Sequence, residues 1–232
     1  MINVITFDLD DTLWAIAPVI EKANQRMLEW MNDHTPKFSQ VYDHHGINQL
    51  RDEVIADNPH LQHDLSQIRV TLIRLGLSRC GYDTADALAQ QAFDVYFAGR
   101  NDVELFAGAQ TQLSSLKQNY QIGALTNGNA DLAQVGIDHL FDFYFNSAQL
   151  GVSKPHPDFF ARALTHTGFT AEAFIHIGDH PEHDIAGAQA CGMRTIWMNP
   201  EDRPWPVGQP RACDEIQHLD QLGAAVDNIN GH

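Results

Sequence analysis

Three carboxylates in four positions, Asp8, Asp10 and Asp11, follow directly on the apolar run Val4-Ile5-Thr6-Phe7. Short, β-branched and aromatic, that run reads as a buried strand. A turn or a helix cap explains one or two acids at its end. Three like charges beside a dry core are costly unless a cation or a proton resolves them. Ligands in α/β sheets bind just beyond the carboxyl ends of strands, so a metal and catalysis are expected here.

Three further stretches place chemistry at strand ends. Thr126-Asn127-Gly128 follows the apolar run that closes at Leu125. A hydroxyl beside Gly offers a side-chain donor and nearby backbone N–H groups to an anion, although Asn-Gly is also an ordinary turn dipeptide. Lys154 lies between Ser153 and Pro155, just ahead of a helix with Pro157 in its first turn. A lone Lys is usually a solvated charge; a fixed one neutralises charge developing on a transferring group. Ile175-His176-Ile177-Gly178-Asp179 repeats the opening theme, and Asp184 follows as a candidate helix N-cap. Acids from two strand ends can share one hard cation, and oxygen-only ligation suits Mg²⁺. His180 and His183 raise a transition-metal alternative, but neither forms a familiar ligand pattern with the acids.

The elements that must hold these residues alternate. After Trp14 come four helical stripes with no strand between them, over Ala15 to Asn32, Gly46 to Asn58, Asp64 to Leu77 and Thr84 to Gly99. They read as a small bundle whose Met27, Trp30, Phe93, Tyr96 and Phe97 are packing residues first. From Asn101 helices and strands alternate to the end of the chain. Strands are expected at Gln121–Leu125, Phe143–Asn146, Phe174–Ile177, Thr195–Met198 and Ala212–Ile216. Helices are expected over Ala107–Tyr120, Asp131–Leu140, Pro157–Thr167, Asp184–Cys191 and Leu219–Ile229, and Asn199 to Arg211, with four prolines, as surface loop. Such alternation predicts an α/β fold with a doubly wound parallel sheet, interrupted after its first strand by the helical block.

Composition narrows the partners. Thirty acids against 14 Lys and Arg give a formal charge of −16, which argues against nucleic acid and anionic membrane. An anionic small substrate would need a local exception built from a metal and a few placed cations. Three Cys without a CxxC fit free thiols in a reducing compartment. The chain enters its first strand without a basic or apolar leader, so no signal peptide is expected, and no apolar run approaches a membrane span. A cytoplasmic protein is the expectation, with monomer and homodimer both compatible with the sequence.

Together and in this order, the four sites resemble the haloacid dehalogenase-like (HAD) hydrolase superfamily. Its first motif, DxDx[TV], is met by Asp8, Asp10 and Thr12, its second by Thr126, and its third by Lys154. Its fourth, GDxxxxD, is met by Gly178, Asp179 and Asp184. The resemblance spans the whole chain, and the helical insert is similar to that superfamily's C1 cap. It implies a HAD-like Rossmannoid core at 1–14 and 100–232 and a helical cap domain at 15–99. The stretch from Thr126 to Ala130 further resembles the branch acting on FMN and phosphoribitylamino-uracil phosphates.

The resemblance implies a Mg²⁺-dependent hydrolase of a small phosphorylated metabolite. Asp8 would be the nucleophile forming an aspartyl-phosphate, and a carboxylate needs no base for that at neutral pH. Asp10 would be the general acid and base. Asp8, Asp179 and the backbone carbonyl of Asp10 would hold the metal. Thr126, the backbone around Asn127 and Gly128, and Lys154 would bind the phosphoryl oxygens, with Asp184 orienting a metal water or Lys154. Trp14 is a candidate substrate contact, as are Arg51, Arg69 and Arg74, each of which also reads as a solvated helix charge. A sugar phosphomutase shares these motifs. A 2-haloacid dehalogenase uses the first Asp on carbon and requires neither metal nor a second acid. A phospho-accepting receiver or a silent phosphate-binding protein is the non-enzymatic alternative; the first would be about half this length and the second would have lost one of the four sites.

Overall fold

The computed structural model describes residues 1–231. They form two compact units. One comprises Met1–Ala15, Glu104–Gly128 and Val135–His232, and the other Ile16–Val103 with Asn129–Gln134.

The first unit is built on a sheet of six parallel strands: β1 (Val4–Phe7), β2 (Gln121–Thr126), β3 (Phe143–Asn146), β4 (Phe174–Gly178), β5 (Arg194–Met198) and β6 (Asp214–Ile216). Their spatial order is β3-β2-β1-β4-β5-β6. β1 is buried at every position, as a central strand covered on both faces must be. The chain winds outward from β1 to β3, then returns to lay β4 on the other side of β1. That reversal opens a crevice between β1 and β4 at their carboxyl ends, where doubly wound sheets bind ligands. Register aligns the tips: Phe7 is paired with Ala124 and with Ile177, so Asp8, Thr126 and Asp179 all emerge at one edge. Gly123 is required by packing, because a Cβ there would lie 2.2 Å from Cζ of Phe143 on the next strand.

The second unit is helical: α1 (Ile16–His34), α2 (Pro36–Val41), α3 (His44–Asp57), α4 (Leu65–Arg79) and α5 (Ala85–Arg100). Its core joins Ala23, Met31, Leu77, Ala89 and Ala92, all fully buried. α1 and α5 approach closely: a Cβ on Gly99 would meet Ala23 Cα at 2.9 Å. The helix starts are chemically marked, Asp43 accepting from Gly46 N and Asp64 from Gln67 N.

The remaining helices are α6 (Ala109–Leu116), α7 (Leu132–Val135), α8 (Ser147–Leu150), α9 (Pro157–Thr167), α10 (Gly187–Ala190) and α11 (Leu222–Asn230). Three expectations need correction. The helical block holds five helices rather than four: α2 starts on Pro36 and inserts Phe38 into the core. The helix expected from Asp184 is a π-helical turn over Pro181–Ala186 followed by the short α10. The unit boundary also moves, since residues 100–103 and Asn129–Gln134 pack with the helices. Asn101 Oδ1 accepts from Asp131 N at 2.7 Å, and Arg100 Nε and Ser66 Oγ both engage the Asn129 amide. Among the described residues no helix is long and apolar enough to cross a membrane.

Candidate active site

Asp8 continues the β1 line, its N–H donating to Ile177 O at 2.8 Å. The chain then turns sharply. Thr12 N and Leu13 N both return to Leu9 O, and Asp11 takes φ of 56°, a left-handed conformation that Asp tolerates better than most residues. This tight turn places Asp10 so that its Oδ1 accepts from Trp14 Nε1 at 2.9 Å. Trp14 was expected among the substrate contacts. The structure instead buries it completely and gives its N–H to Asp10, so it orients the proposed acid.

Lys154 is the centre of the charge arrangement, with its side chain only 2% exposed. Nζ donates to Leu125 O at 2.7 Å and to Asp184 Oδ1 at 2.5 Å, and lies 2.9 Å from Asp8 Oδ1. Burial alone would depress its pKa, but Asp184 and Asp8 hold it above the usual ammonium value. It is a fixed cation. Its backbone is clamped by Asn127, whose Oδ1 accepts from Lys154 N and Ser147 Oγ while Nδ2 donates to Lys154 O. The Asn127 side chain is therefore committed to locating the cation, whereas the expectation of phosphoryl binding concerned its backbone. Thr126 Oγ1 accepts from Gly128 N at 3.0 Å, which ties the strand tip into a turn and leaves the threonine hydroxyl proton to donate elsewhere.

Asp184 anchors Lys154 and more. Its Oδ2 accepts from His180 N at 2.9 Å, and His176 Nε2 lies 3.3 Å from Oδ1. Burial pushes its pKa up, but Lys154 and His176 overcome that and hold it well below the ordinary carboxylate range. Burial pushes His176 down, so it is neutral. A neutral imidazole that donates to Asp184 carries its proton on Nε2, and Nδ1 then accepts from Thr6 Oγ1, 2.9 Å away. Gly178 makes room for this carboxylate: a Cβ there would lie 2.3 Å from Asp184 Cγ. The Gly-Asp pairing of this stretch thus has a steric cause.

Two acids are left poorly compensated. Burial raises Asp8 from its ordinary 3.8 to about 7, with Asp184 and Asp10 adding to the shift against the pull of Lys154. Burial likewise raises Asp179 to about 8, reinforced by Asp184, Asp8 and Asp11. Carboxylate oxygens of Asp8, Asp179 and Asp184 lie within 4.8 Å of one another. Asp8 Oδ1 and Thr12 Oγ1 are buried without an aligned hydrogen bond. A hard divalent cation fits this set: the donors are oxygens, and their excess negative charge is what the raised pKa values express. Among the described residues this acidic group includes no His. His180 is instead stacked on His183 at 3.9 Å and accepts from the N–H groups of Glu182 and His183.

Two of the three arginines considered for substrate contact have local partners within the helical unit. Arg69 lies 3.6 Å above the Tyr96 ring and donates to Asn24, and Arg74 pairs loosely with Asp86. Arg51 is exposed. Sequence reasoning passed over His176, Ser147 and Arg203. Arg203 Nη2 stands 3.9 Å from Asp179 Oδ2. Its segment, with four prolines, reads from sequence only as surface loop.

Comparison with known proteins gives this geometry a context. The crystal structure of a 2-haloacid dehalogenase from Pseudomonas syringae pv. tomato DC3000 superposes with a TM-score of 0.94 at 36% identity, covering 98% of this chain and 99% of that one. A 5-amino-6-(5-phospho-D-ribitylamino)uracil phosphatase from Escherichia coli is 28% identical over 87% of this chain and 85% of its own. A glyceraldehyde 3-phosphate phosphatase from Pyrococcus abyssi is 29% identical over 100% of this chain and 96% of its own. The family model of the haloacid dehalogenase-like hydrolases matches residues 2–192. With that match, and with the four motif stretches gathered at the carboxyl edge of one parallel sheet, the chain belongs to the haloacid dehalogenase-like hydrolases.

Proposed function

We propose that this protein is a Mg²⁺-dependent phosphomonoester hydrolase acting on a small phosphorylated metabolite. The observation that carries the reading is the company of Asp8: a buried carboxylate 2.9 Å from a fixed ammonium, with a second acid, Asp10, in the same turn. Asp8 attacks phosphorus and displaces the alkoxide, forming an aspartyl-phosphate. Asp10, oriented by Trp14, gives its proton to the departing oxygen, then takes one from the water that attacks the aspartyl-phosphate. Free phosphate leaves and Asp8 is regenerated. Lys154 neutralises charge on the phosphoryl oxygens, and Thr126 Oγ1 donates to them. Asp8 and Asp179, with the Asp10 carbonyl as the family implies, would hold Mg²⁺, which would supply positive charge between the attacking carboxylate and the phosphoryl group. A flavin-pathway phosphate is the finer reading, supported by the name of the Escherichia coli relative.

Phosphate release from an aryl phosphate tests this directly. Release that requires Mg²⁺ in the wild type and vanishes in Asp8→Asn is the expected result. Metal-independent release, or release retained in pure Asp8→Asn, refutes the assignment.

Carbon chemistry is the second reading, favoured by the name of the Pseudomonas syringae protein whose structure superposes so well. A dehalogenase would release halide from a 2-haloacid in the presence of a chelator, and would leave Asp10 and Asp179 without work. Halide release from 2-chloropropionate in EDTA, with no phosphatase activity, would decide for it.

A further inference from the structure

One cavity of the sheet unit has no part in the chemistry above. It encloses about 320 Å³ between the carboxyl ends of β4 and β5 and the proline-rich loop that follows β5. That volume lies within the range of small-molecule sites. We propose that it is the leaving-group subsite of the hydrolase, and that it takes a neutral planar heteroaromatic ring with an imide-type edge. The proposal rests on the phosphatase reading.

The walls are fixed. Asn199, fully buried, clamps the loop: its Oδ1 accepts from Arg203 N and its Nδ2 donates to Arg203 O and Glu215 Oε1. Trp197 Nε1 donates to Asp179 O at 2.7 Å, and Trp205 meets the Trp197 ring edge-on at 4.8 Å. His180 is held by its stack on His183 and its bonds to two backbone N–H groups. The subsite therefore shares Asp179 with the candidate metal site, through Trp197 on the main chain and through Arg203 on the carboxylate.

The lining selects the ligand. Pro181, Pro204, Pro206 and the His180 ring give flat, apolar faces, which suit a ring, and the buried Trp197 backs them. Arg203 and Glu182 bring one positive and one negative charge, so the lining has no net charge to offer a second anionic group. Arg203 donates, Glu182 accepts, and the Gln209 amide does both, which complements an edge of alternating carbonyl and N–H groups. Arg203 is the specificity residue. Because the loop is clamped through its backbone, replacing the side chain preserves the wall.

Two measurements test the proposal. First, the ratio of kcat/KM for FMN to kcat/KM for glycerol 2-phosphate is compared between wild type and Arg203→Met. A fall of at least tenfold, carried by KM for FMN, is expected; an unchanged ratio overturns the proposal, as does an equal loss on both esters. Second, uridine, which has the ring edge but no phosphate, is titrated against tryptophan fluorescence. Saturable quenching, weakened in Arg203→Met, is expected, and its absence in the wild type overturns the subsite. Quenching without hydrolysis of any ester upholds the ring site and refutes the phosphatase reading alone.

Discussion

Replacing Asp8, the proposed nucleophile, should make the metal-free protein more stable. Asp8→Asn keeps the shape of the side chain and removes its charge. The folded protein raises the Asp8 pKa from 3.8 to about 7, chiefly through burial. An acid whose folded pKa exceeds its unfolded value holds its proton more tightly when folded, so stability is lost as pH rises from about 4 to about 7 and stays lost above. At about 1.36 kcal/mol per unit, the shift bounds the loss at roughly 4 kcal/mol. The attraction of Lys154 for the ionised carboxylate is already contained in that shift, so the gain in the variant is at most roughly 4 kcal/mol. For a chain of this size that is a rise of up to about 8–16 °C in Tm. The assay is thermal unfolding in EDTA at pH 8 and again at pH 4, where the difference should disappear. Mg²⁺ should stabilise the wild type at pH 8 and the variant much less. A variant no more stable than wild type in EDTA at pH 8, or equally stabilised at both pH values, would refute the reasoning.

The same charges predict how the metal binds. With Asp8 at about 7 and Asp179 at about 8, both are mostly protonated at pH 6.5, so Mg²⁺ binding there should release roughly one to two protons. Calorimetry in buffers of different ionisation enthalpy reads this, and binding without proton release would contradict it. Gly178→Ala should displace Asp184, whose Cγ would lie 2.3 Å from the new Cβ. We expect a loss of about 1–3 kcal/mol in stability and at least a hundredfold loss in kcat in protein that still folds; near-normal turnover would show that Asp184 does not need its place. Asn127→Ala removes three hydrogen bonds around Lys154 and Ser147. A fall of roughly 10–100-fold in kcat at little changed KM is expected from a misplaced cation, and a pure KM effect would return Asn127 to direct substrate contact.

Much of this arrangement was legible before any coordinates. The strand periods gave the sheet because burial on both faces of a parallel strand leaves a continuous apolar run, and five of the six strands both begin and end within a residue of their expected limits. The motif acids and Lys154 were legible because each stands just past such a run. The uses of side chains were harder to read. Trp14 lies beside the chemistry in sequence and reads as a substrate contact, and Asn127 reads as one through its backbone, but the uses of both side chains are set by where the chain folds back. Asn127 meets Lys154, 27 positions away, and Trp14 meets Asp10 across a turn closed by the left-handed Asp11. α2 was missed because six residues are too few to show a helical period. Arg203 was missed because its relation to Asp179 depends on a loop shaped by buried Asn199, which no local pattern announces.

The way charge is shared within the cluster argues for which acid reacts. Lys154 is the buried ammonium between Asp8 and Asp184, and they are not served equally. Asp184 receives the shorter, aligned bond, a second from His180 N and a third from His176. Its pKa falls, and its carboxylate has little left to offer a substrate. Asp8 has the ion pair but no aligned hydrogen bond, and its pKa rises. Its lone pairs are the poorly satisfied ones. A group in that condition is destabilised until a cation or an electrophile arrives, which is the state a nucleophile should be kept in. Weakening Asp184 should therefore harm catalysis by a different route from weakening Asp8. In Asp184→Asn the ammonium turns fully to Asp8, whose pKa drops and whose nucleophilicity falls with it. Single-turnover kinetics should then show slower phosphorylation of Asp8, and an unchanged phosphorylation rate would mean that Asp184 only holds the fold.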